Sequence, residues 1–416
     1  MSSVLLALGA ALLSTGSVTT HAQLVEPVWE AADEIEAAVA RGVAADNWGN
    51  LFVAGSMNDA AGTGHAIVQK STTQGKTWVP SDDIAGAQFQ RLTSRDNITV
   101  TAGIYYGGER GCLVRGSMDG GATWSEWGRF PDPNPKYIVL KLWDVELDGS
   151  GNIYVVAEYR ETTGKGNNVT YVSRPVILKR EADVWRTISV SFPVTKVVCV
   201  DGDVYCTGDP GDVFWEVRKS SDGGHTWSLP DSYCLDVNGS GKSDAADIAV
   251  DRNGNLIVVG KGTRVEVTTV RRKNTYTYYH YWIVRKGTPP PVGATAWTWT
   301  TDLFQFLPDS ASTTNTPSAV AVDPKNNVHV TGRCSAPGST GRWVTRQLTA
   351  ATGTWATTDV FDLGTQYYTM GNRIAADPSG NVFAIGEAFA EVSATGPAPR
   401  QWIVRRKLAP LAPPAP

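Results

Sequence analysis

The stretches Ser117-Met-Asp-Gly-Gly-Ala-Thr-Trp124 and Ser220-Ser-Asp-Gly-Gly-His-Thr-Trp227 repeat one pattern of eight residues, and Ser71-Thr-Thr-Gln-Gly-Lys-Thr-Trp78 is a third copy in which Thr73 replaces the Asp. Each copy places Ser and Gly between runs of β-branched or aromatic residues, a composition typical of a hairpin turn. Because one turn recurs along a single chain, the sequence predicts a protein built from repeated β units.

A second signature, an Asp followed four residues later by Asn, alternates with the first. Its copies are Asp46–Asn50, Asp148–Asn152, Asp251–Asn255, Asp323–Asn327 and Asp377–Asn381, with weaker copies at Asp96 and Asp201. Successive copies are 50 to 54 residues apart, except for one step of 72 residues between Asp251 and Asp323. Seven such anchors predict seven units that stack on their neighbours.

Each unit reads as four short strands, so the sequence predicts an all-β fold, a seven-bladed β-propeller of four-stranded antiparallel blades. The pattern Trp-x-x-x-Asp marks the fourth strand, as at Trp78 and Asp82. The last unit stops after its third strand near Lys407, and the same pattern occurs at Trp29 and Asp33, before the first anchor. We therefore expect residues near 26 to 35 to close the ring, with the propeller over residues 23–408 and a Pro-rich tail over 409–416.

The eight-residue spacing resembles the Asp-box (BNR) repeat of sialidases, sortilin-type receptors and other secreted β-propellers. This resemblance covers nearly all of the chain from residue 23 onward and implies the fold. Sialidases also carry an Arg-Ile-Pro motif before the first box, whereas Arg-Ile occurs here only in Arg373-Ile-Ala, near the last anchor. The resemblance therefore assigns no catalytic residue.

Residues 1–22 combine an apolar run, Val4–Leu13, with the small-residue sequence Thr20-His-Ala22. This order is typical of a secretory signal peptide, although no Lys or Arg precedes Arg41. We therefore expect a secreted or extracytoplasmic protein. Since no other apolar run reaches the ~18 residues that span a bilayer, we expect no membrane span.

The net charge of the chain is −4, and charged residues make up 19% of it. Proteins that bind nucleic acid through many phosphate contacts carry an excess of Lys and Arg, which is missing here. We expect no nucleic-acid partner. A monomer whose partner is a glycan or an extracellular protein fits this composition.

One polar position recurs at the end of the third strand of every unit. It holds Gln69, Arg115, Lys179, Arg218, Arg285, Arg346 and Arg405. A catalytic Arg would be expected in one blade and not in all of them. The recurrence therefore predicts a structural side chain tied to the neighbouring turn.

Cys199 and Cys206 flank a predicted two-residue turn in blade four. Pairing Asp201 with Val204 would place the two cysteines opposite each other, within the Cα distance that a disulfide needs. The alternative is that both are buried free thiols.

The 72-residue step gives blade five a long hairpin, residues 264–282, with a basic tip. Strand alternation predicts Tyr276, Tyr278 and His280 on one side of it, near Arg271 and Arg272. Aromatic faces beside cations suit stacking on sugar rings or binding an anionic polymer. The alternative is that these aromatic residues pack on a neighbouring blade.

Blade two offers Tyr105, Tyr106 and Arg110 at the corresponding loop. These residues, like the hairpin, fall on the face opposite the repeated turns, where the loops vary between blades. Variable loops on a regular scaffold are where binding usually occurs. We therefore include the three as candidate ligand-binding residues.

The segment from Asp236 to Asp247 resembles the calcium loop of dockerins and EF-hands. Oxygen-bearing side chains occur at positions 1, 3, 5, 9 and 12 of that loop, with Gly at position 6. The candidate ligands of a structural Ca²⁺ are Asp236, Asn238, Ser240, Asp244 and Asp247. A solvated Gly/Ser turn is the alternative.

These patterns favour a binding or interaction module, with glycans as the candidate ligand, over an enzyme. The alternative is a sialidase-like glycoside hydrolase or a polysaccharide lyase on the same fold. A lyase would need a Tyr or His base and a neutralising cation, for which Tyr278, His280 and Arg272 are the candidates. The sequence shows no zinc spacing, phosphate loop or nucleophile elbow.

Overall fold

A computed structural model describes residues 28–36, 38–107, 110–131, 137–163, 170–208, 213–236, 241–307, 313–336, 339–364, 367–390 and 400–410. The proposed signal peptide, residues 1–22, lies outside this part. The described residues form 28 strands in seven antiparallel four-stranded sheets. The protein is a seven-bladed β-propeller, as the anchors predict.

Blades one to seven are numbered in chain order, and each runs from its inner to its outer strand. The strands of blades one to four are β2 Ala38–Ala45, β3 Leu51–Asn58, β4 Gly64–Ser71 and β5 Val79–Ala85; β6 Ala87–Arg95, β7 Ile98–Tyr105, β8 Gly111–Ser117 and β9 Ser125–Pro131; β10 Tyr137–Leu147, β11 Ile153–Thr163, β12 Thr170–Glu181 and β13 Val184–Ser189; β14 Lys196–Val200, β15 Asp203–Gly208, β16 Trp215–Ser220 and β17 Ser228–Tyr233. Those of blades five to seven are β18 Lys242–Val250, β19 Leu256–Val270, β20 Lys273–Thr288 and β21 Thr298–Phe304; β22 Thr314–Val322, β23 Val328–Ser335, β24 Arg342–Thr349 and β25 Thr354–Phe361; β26 Tyr367–Ala376, β27 Val382–Ala390, β28 Arg400–Lys407 and, from the start of the chain, β1 Glu30–Glu36.

The ring is closed by the N-terminal strand. β1 pairs with β28 in the order β1-β28-β27-β26, so blade seven takes its outer strand from the start of the chain. Trp29 is buried, and its Nε1 donates to Thr358 Oγ1 at 3.2 Å in blade six. The prediction from the Trp29 and Asp33 pattern is confirmed, with the strand at Glu30–Glu36.

The anchor turns owe their shape to one carboxylate each. In blade five, Asp251 Oδ1 accepts from the backbone N–H groups of Asn253 and Asn255, both at 2.9 Å, and Oδ2 accepts from Asn255 Nδ2 at 2.8 Å. The other four full copies form the same bonds. An Asp side chain that accepts these bonds stabilises the turn in the way that backbone hydrogen bonds otherwise would.

The eight-residue turns use a second network. Ser117 Oγ donates to Asp119 Oδ1 at 2.8 Å and accepts from Gly121 N–H at 2.8 Å, while Asp119 also accepts from the hydroxyl and N–H of Thr123. These bonds, that of the Thr123 hydroxyl foremost, hold the pKa of Asp119 well below its usual range. In the first copy, Thr73 Oγ1 accepts from Thr77 N–H at 2.9 Å, so a hydroxyl replaces the carboxylate.

The recurrent polar position is structural, as predicted, and in four blades its partner is a carboxylate on a strand of the preceding blade. Ion pairs of this kind are Arg115–Asp82 at 2.6 Å, Arg285–Asp231 at 2.7 Å, Arg346–Asp302 at 3.6 Å and Arg405–Asp359 at 2.6 Å. Lys179 and Arg218 pair inside their own blades, with Glu181 and Glu216. The ion pairs connect outer strands that backbone hydrogen bonds do not join.

The seam between blades seven and one lacks this ion pair. Asp33 occupies the position of Asp82 and Asp359, yet the facing residue in blade one is Gln69. Asp33 Oδ2 is buried without a hydrogen-bond partner among the described residues, and burial raises the pKa of this carboxyl. The seam where the two ends of the ring meet therefore contains a buried carboxyl oxygen without a partner among the described residues.

Gln69→Arg should stabilise this seam by about 1 kcal/mol at pH 7, because a guanidinium would pair with the Asp33 carboxylate. The raised pKa of Asp33 means that the wild type loses stability as the pH rises through it. The gain should therefore be present at neutral pH and fade in acid. Urea unfolding of Gln69→Arg and Gln69→Met at pH 7 and pH 3.5 checks this; an equal gain for Met would rule out the charge effect.

The first strands of the blades contact one another around a central channel. Six of these seven strands carry a β-bulge at the corresponding point, and β14 does not. Bulges bend a strand and redirect its side chains. The seven hydrophobic clusters include residues of neighbouring blades, so the packing is continuous around the ring.

Candidate functional site

The antiparallel order of the strands gives the disc two different faces. The anchors and the eight-residue turns join strands one to two and three to four, so they share one face, which we call the turn face. The loops that join strands two to three and each blade to the next lie on the other, the loop face. The blade-five hairpin lies on the loop face, as the sequence predicts.

The blade-five hairpin extends beyond both neighbouring strands of its sheet. β18 pairs with β19 only as far as Thr263, and β21 pairs with β20 only from Trp282 onward. The pairing of β19 with β20 continues to Val270 and Lys273, where Arg271 and Arg272 form a two-residue turn with φ of 49° and 66°. Seven residues separate His280, opposite Thr263, from Lys273, so the hairpin projects beyond both neighbours by about 23 Å.

One face of the hairpin is apolar and exposed. Tyr276 lies opposite Val267 and Tyr278 opposite Val265. Tyr276, Tyr278 and Val267 are 50%, 49% and 50% exposed, whereas Trp282, further along the same side, is buried in the core. About half of each tyrosine side chain is therefore accessible to a ligand.

His280 lies at the base of this face. Its Nδ1 is 3.0 Å from Thr263 Oγ1, and its backbone carbonyl accepts from Asn315 Nδ2 at 3.0 Å. Burial, followed by the charge of Lys261, lowers the pKa of the imidazole, so His280 is neutral at pH 7. Arg272 is eight residues away along the strand, or about 26 Å. Tyr278, His280 and Arg272 therefore do not form one catalytic centre.

The three blade-two candidates have different environments. Tyr105 is buried in the core, with the Arg129 guanidinium 4.4 Å from its ring centroid. Tyr106 is 46% exposed, its hydroxyl donates to Gln88 Oε1 at 3.3 Å, and the Arg110 guanidinium lies 5.5 Å from its ring centroid. Blades three and four separate this pair from blade five on one side of the ring. Tyr106 and Arg110 thus belong to the loop face but not to the hairpin surface.

Of the candidate calcium ligands that the structure describes, Asp236 and Asp247 lie far apart. Asp236 Oδ2 accepts from Val265 N–H at 3.1 Å, while Asp247 lies opposite Val259, six residues or about 20 Å further along β19. Asp244 pairs with Lys242 and Lys261. Asn238 and Ser240 lie outside the described residues, within which no group of three metal-binding side chains occurs.

Asp247 instead faces the central channel, where the sequence predicted no site. Lys196 Nζ lies 3.2 Å from Asp247 Oδ1 and 3.2 Å from Asp144 Oδ1. Each of these carboxylates also accepts a backbone N–H of the next blade, from Val320 and Val197 respectively, both at 3.0 Å. A lysine thus bridges two carboxylates inside the ring.

Arg91 and Arg373 lie in the same layer of the channel. Arg91 Nε donates to the carbonyl of Trp143, and Arg373 Nη1 donates to that of Asn372 at 2.6 Å. These residues, with Gly42, Asp144, Lys196, Asp247 and Ala319, occupy equivalent inner-strand positions, which in six blades follow the bulge. Their common position relative to the anchors was the only sequence signal that could have grouped them.

A carboxyl whose side chain is 22% exposed, that of Glu146, lies below this layer, nearer the turn face. Glu146 Oε2 accepts from Thr93 Oγ1 at 3.2 Å, and Glu146 Oε1 lies 3.9 Å from Arg95. Enclosure in the channel, together with the neighbouring Asp144, raises the pKa of Glu146 to about 8. This carboxyl is therefore mostly protonated at neutral pH.

No protein-family model matches the sequence, and no curated protein matches it. Solved structures with a similar fold include an α-L-arabinofuranosidase of Fusarium graminearum (11% identity over 91% of this chain and 97% of that one, TM-score 0.43). They also include a polysaccharide lyase of family PL25, an ulvan lyase (13% identity, 70% and 77%, TM-score 0.42), and a sialidase of Trypanosoma rangeli (10% identity, 92% and 55%, TM-score 0.41). Similarity at this level does not identify a shared activity.

Proposed function

We propose that this propeller is a secreted glycan-binding module of the Asp-box type, and that it captures its ligand on the blade-five hairpin. The observation that supports this proposal most is the pair of half-exposed tyrosines on one face of a strand pair that projects from the disc. Sugar rings stack well on aromatic side chains because both present flat apolar faces. Exposed apolar patches on a stable scaffold commonly mark binding sites.

The layout of the hairpin favours an extended ligand with negative charge. Arg271 and Arg272 are exposed at the tip, and Tyr276 lies about 13 Å from Arg272 along the strand. A ligand long enough to contact both would be a chain of several sugar units. Its carboxylate or sulfate groups would pair with the arginines, and its rings would stack on the tyrosines.

A monomer in an extracytoplasmic compartment suits this role, and no helix among the described residues is long and apolar enough to cross a membrane.

A structural Ca²⁺ at Asp236 and the loop that follows it stays a prediction, restricted to residues 236–241, because Asp244 and Asp247 bind lysines. A calorimetric titration with calcium tests it.

Tyr276→Ala with Tyr278→Ala should weaken binding to an anionic polysaccharide at least tenfold while leaving the melting temperature unchanged. The reason is that both side chains are about half exposed and lie on the part of the hairpin beyond the neighbouring strands. Binding to immobilised heparin, alginate and polygalacturonate measures the effect. Arg271→Glu with Arg272→Glu should weaken binding more at low salt than at high salt, because exposed charges are screened.

Thr275→Ala with Thr277→Ala provides the matched control. These residues alternate with the tyrosines on the same strand and point to the opposite side of the hairpin. Full binding by the tyrosine variant, or an equal loss in the threonine variant, would remove the hairpin face as the site. No retention on any of the polymers would count against the glycan proposal itself.

A further inference from the structure

The central channel holds more positive than negative charge. The cations that line it are Arg91, Arg95, Lys196 and Arg373, and the carboxylates beside them are Asp144, Asp201 and Asp247. Glu146, below this layer, is mostly neutral and has Arg95 beside it. Buried charges in proteins are normally paired, because an unpaired ion loses its hydration without compensation. The excess of cations therefore needs an explanation.

The carboxylates offset the arginines only in part: burial and Arg373 lower the pKa of Arg91 by more than Asp144 and Asp247 raise it. Both of these carboxylates are bridged by Lys196, and no carboxylate lies within ion-pair distance of Arg91 or Arg373 among the described residues. Those two guanidiniums bond to backbone carbonyls instead. Arg373 Nε and Arg41 Nε are buried without a hydrogen-bond partner in the described part of the chain. Unused donors of this kind are rare in native structures.

The cations also destabilise one another. Burial is the main cause that lowers the pKa of Arg91 and of Lys196, and the charge of Arg373 is the next in both cases. A like charge lowers the pKa of a cation because it raises the free energy of the charged form. Negative charge placed among the three would relieve this repulsion, since Coulomb interactions are strong where water is scarce.

The space for such a charge is present. A cavity of about 490 Å³ is lined by the inner strands of six blades, and Arg91, Asp144, Glu146, Lys196, Asp247 and Arg373 border it. This volume falls within the range of small-molecule sites. The other residues that line the cavity lie nearer the anchors, as Ala45 and Asp201 do, so the cavity opens on the turn face. It is thus separate from the hairpin on the loop face.

We propose that the channel is a binding site for a compact oxyanion, the carboxylate, sulfate or phosphate group of a small molecule, held between Arg91, Lys196 and Arg373. The protonated carboxyl of Glu146 can donate a further hydrogen bond to it. The ligand enters from the turn face. The inner strands of different blades supply the three cations, so occupancy joins those blades across the axis of the ring.

Binding of sulfate, phosphate and citrate to the full chain, followed by calorimetry and by thermal unfolding, tests this site. Each effective anion should raise the melting temperature by mass action. Arg373→Gln and Arg91→Gln should each weaken binding at least tenfold and abolish the anion-dependent rise. Arg342→Gln, a control that removes a surface guanidinium paired with Asp362, should leave both unchanged.

The stability of the variants without anion separates binding from a structural role. Because each substitution relieves repulsion, the anion-free melting temperature should stay the same or rise. A fall of many degrees in both variants, or an anion-dependent rise as large as that of the wild type, would overturn the proposal. Crystals soaked in selenate give a second readout that needs no variant: an anomalous peak beside Lys196 is expected, and an empty channel at high selenate would contradict the site.

Discussion

A chain that begins at residue 37 should unfold at a far lower denaturant concentration than one that begins at residue 28. The shorter chain lacks β1, so β28 becomes an open edge in a blade of three strands. It also loses buried Trp29 and the bond from Trp78 Nε1 to the carbonyl of Ala32 at 3.0 Å. Removal of a buried Trp alone costs about 3–5 kcal/mol, and the lost strand pairing adds to it.

Urea unfolding followed by tryptophan fluorescence measures this difference. Exposed edge strands also promote association, so the shorter chain should aggregate when size-exclusion chromatography is run at high concentration. A synthetic peptide of residues 28–36 added to the shorter chain should restore part of the loss. Equal unfolding midpoints for the two chains would show that β1 does not close the ring.

Arg285→Met should destabilise the protein by about 3–5 kcal/mol, the second large effect that we expect. The Arg285 and Asp231 side chains are only 10% and 6% exposed, and two bonds of 2.9 and 2.7 Å join them. Removing the guanidinium leaves the carboxylate buried without its partner, which costs more than the pair contributes. Arg285 also stacks on Tyr233, with 4.2 Å from guanidinium to ring centroid.

The double variant Arg285→Met with Asp231→Leu should recover much of this loss, because no unpaired charge remains. Arg264→Met is the control: its ion pair with Glu266 is about half exposed and should contribute less than 1 kcal/mol. Differential scanning calorimetry of the four proteins gives the comparison. A double variant as unstable as Arg285→Met would show that packing, and not the buried charge, accounts for the loss.

The fold could be predicted because the residues that shape each turn lie close together in the sequence. An Asp that bonds backbone groups two and four residues ahead leaves a pattern within five residues, and five such copies with the weaker ones at Asp96 and Asp201 give the blade count. Register was harder to predict. In blade four, Asp201 adopts a φ of 50° and forms the two-residue turn with Gly202, so Val200 lies opposite Asp203. Cys199 therefore lies opposite Val204 and not Cys206, and both cysteines are buried free thiols.

The channel could not be predicted, because the residues that form it do not repeat. The side chain at one inner-strand position varies between blades, from Gly42 and Ala319 to Asp144, Lys196 and Arg373. Only the closed ring brings them together. Asp247 shows the converse case: it fits a local calcium-loop spacing, but β18 carries it into the channel, where Lys196 binds it. Spacing along the sequence predicts turns well. It predicts sites poorly when a strand begins inside the motif, because the strand carries the later residues away from the earlier ones.

The most direct test of the proposed function is to measure retention and cleavage in the same samples. The purified protein is incubated with heparin, alginate, polygalacturonate and sialylated glycans, and the bound fraction is determined. Released reducing ends, free sialic acid and unsaturated products at 235 nm are measured in parallel. We expect at least one anionic polymer to be retained, no product to form, and retention to fall in the Tyr276→Ala, Tyr278→Ala variant. Product formation from any of these polymers, surviving in that variant, would contradict a binding module centred on the blade-five hairpin.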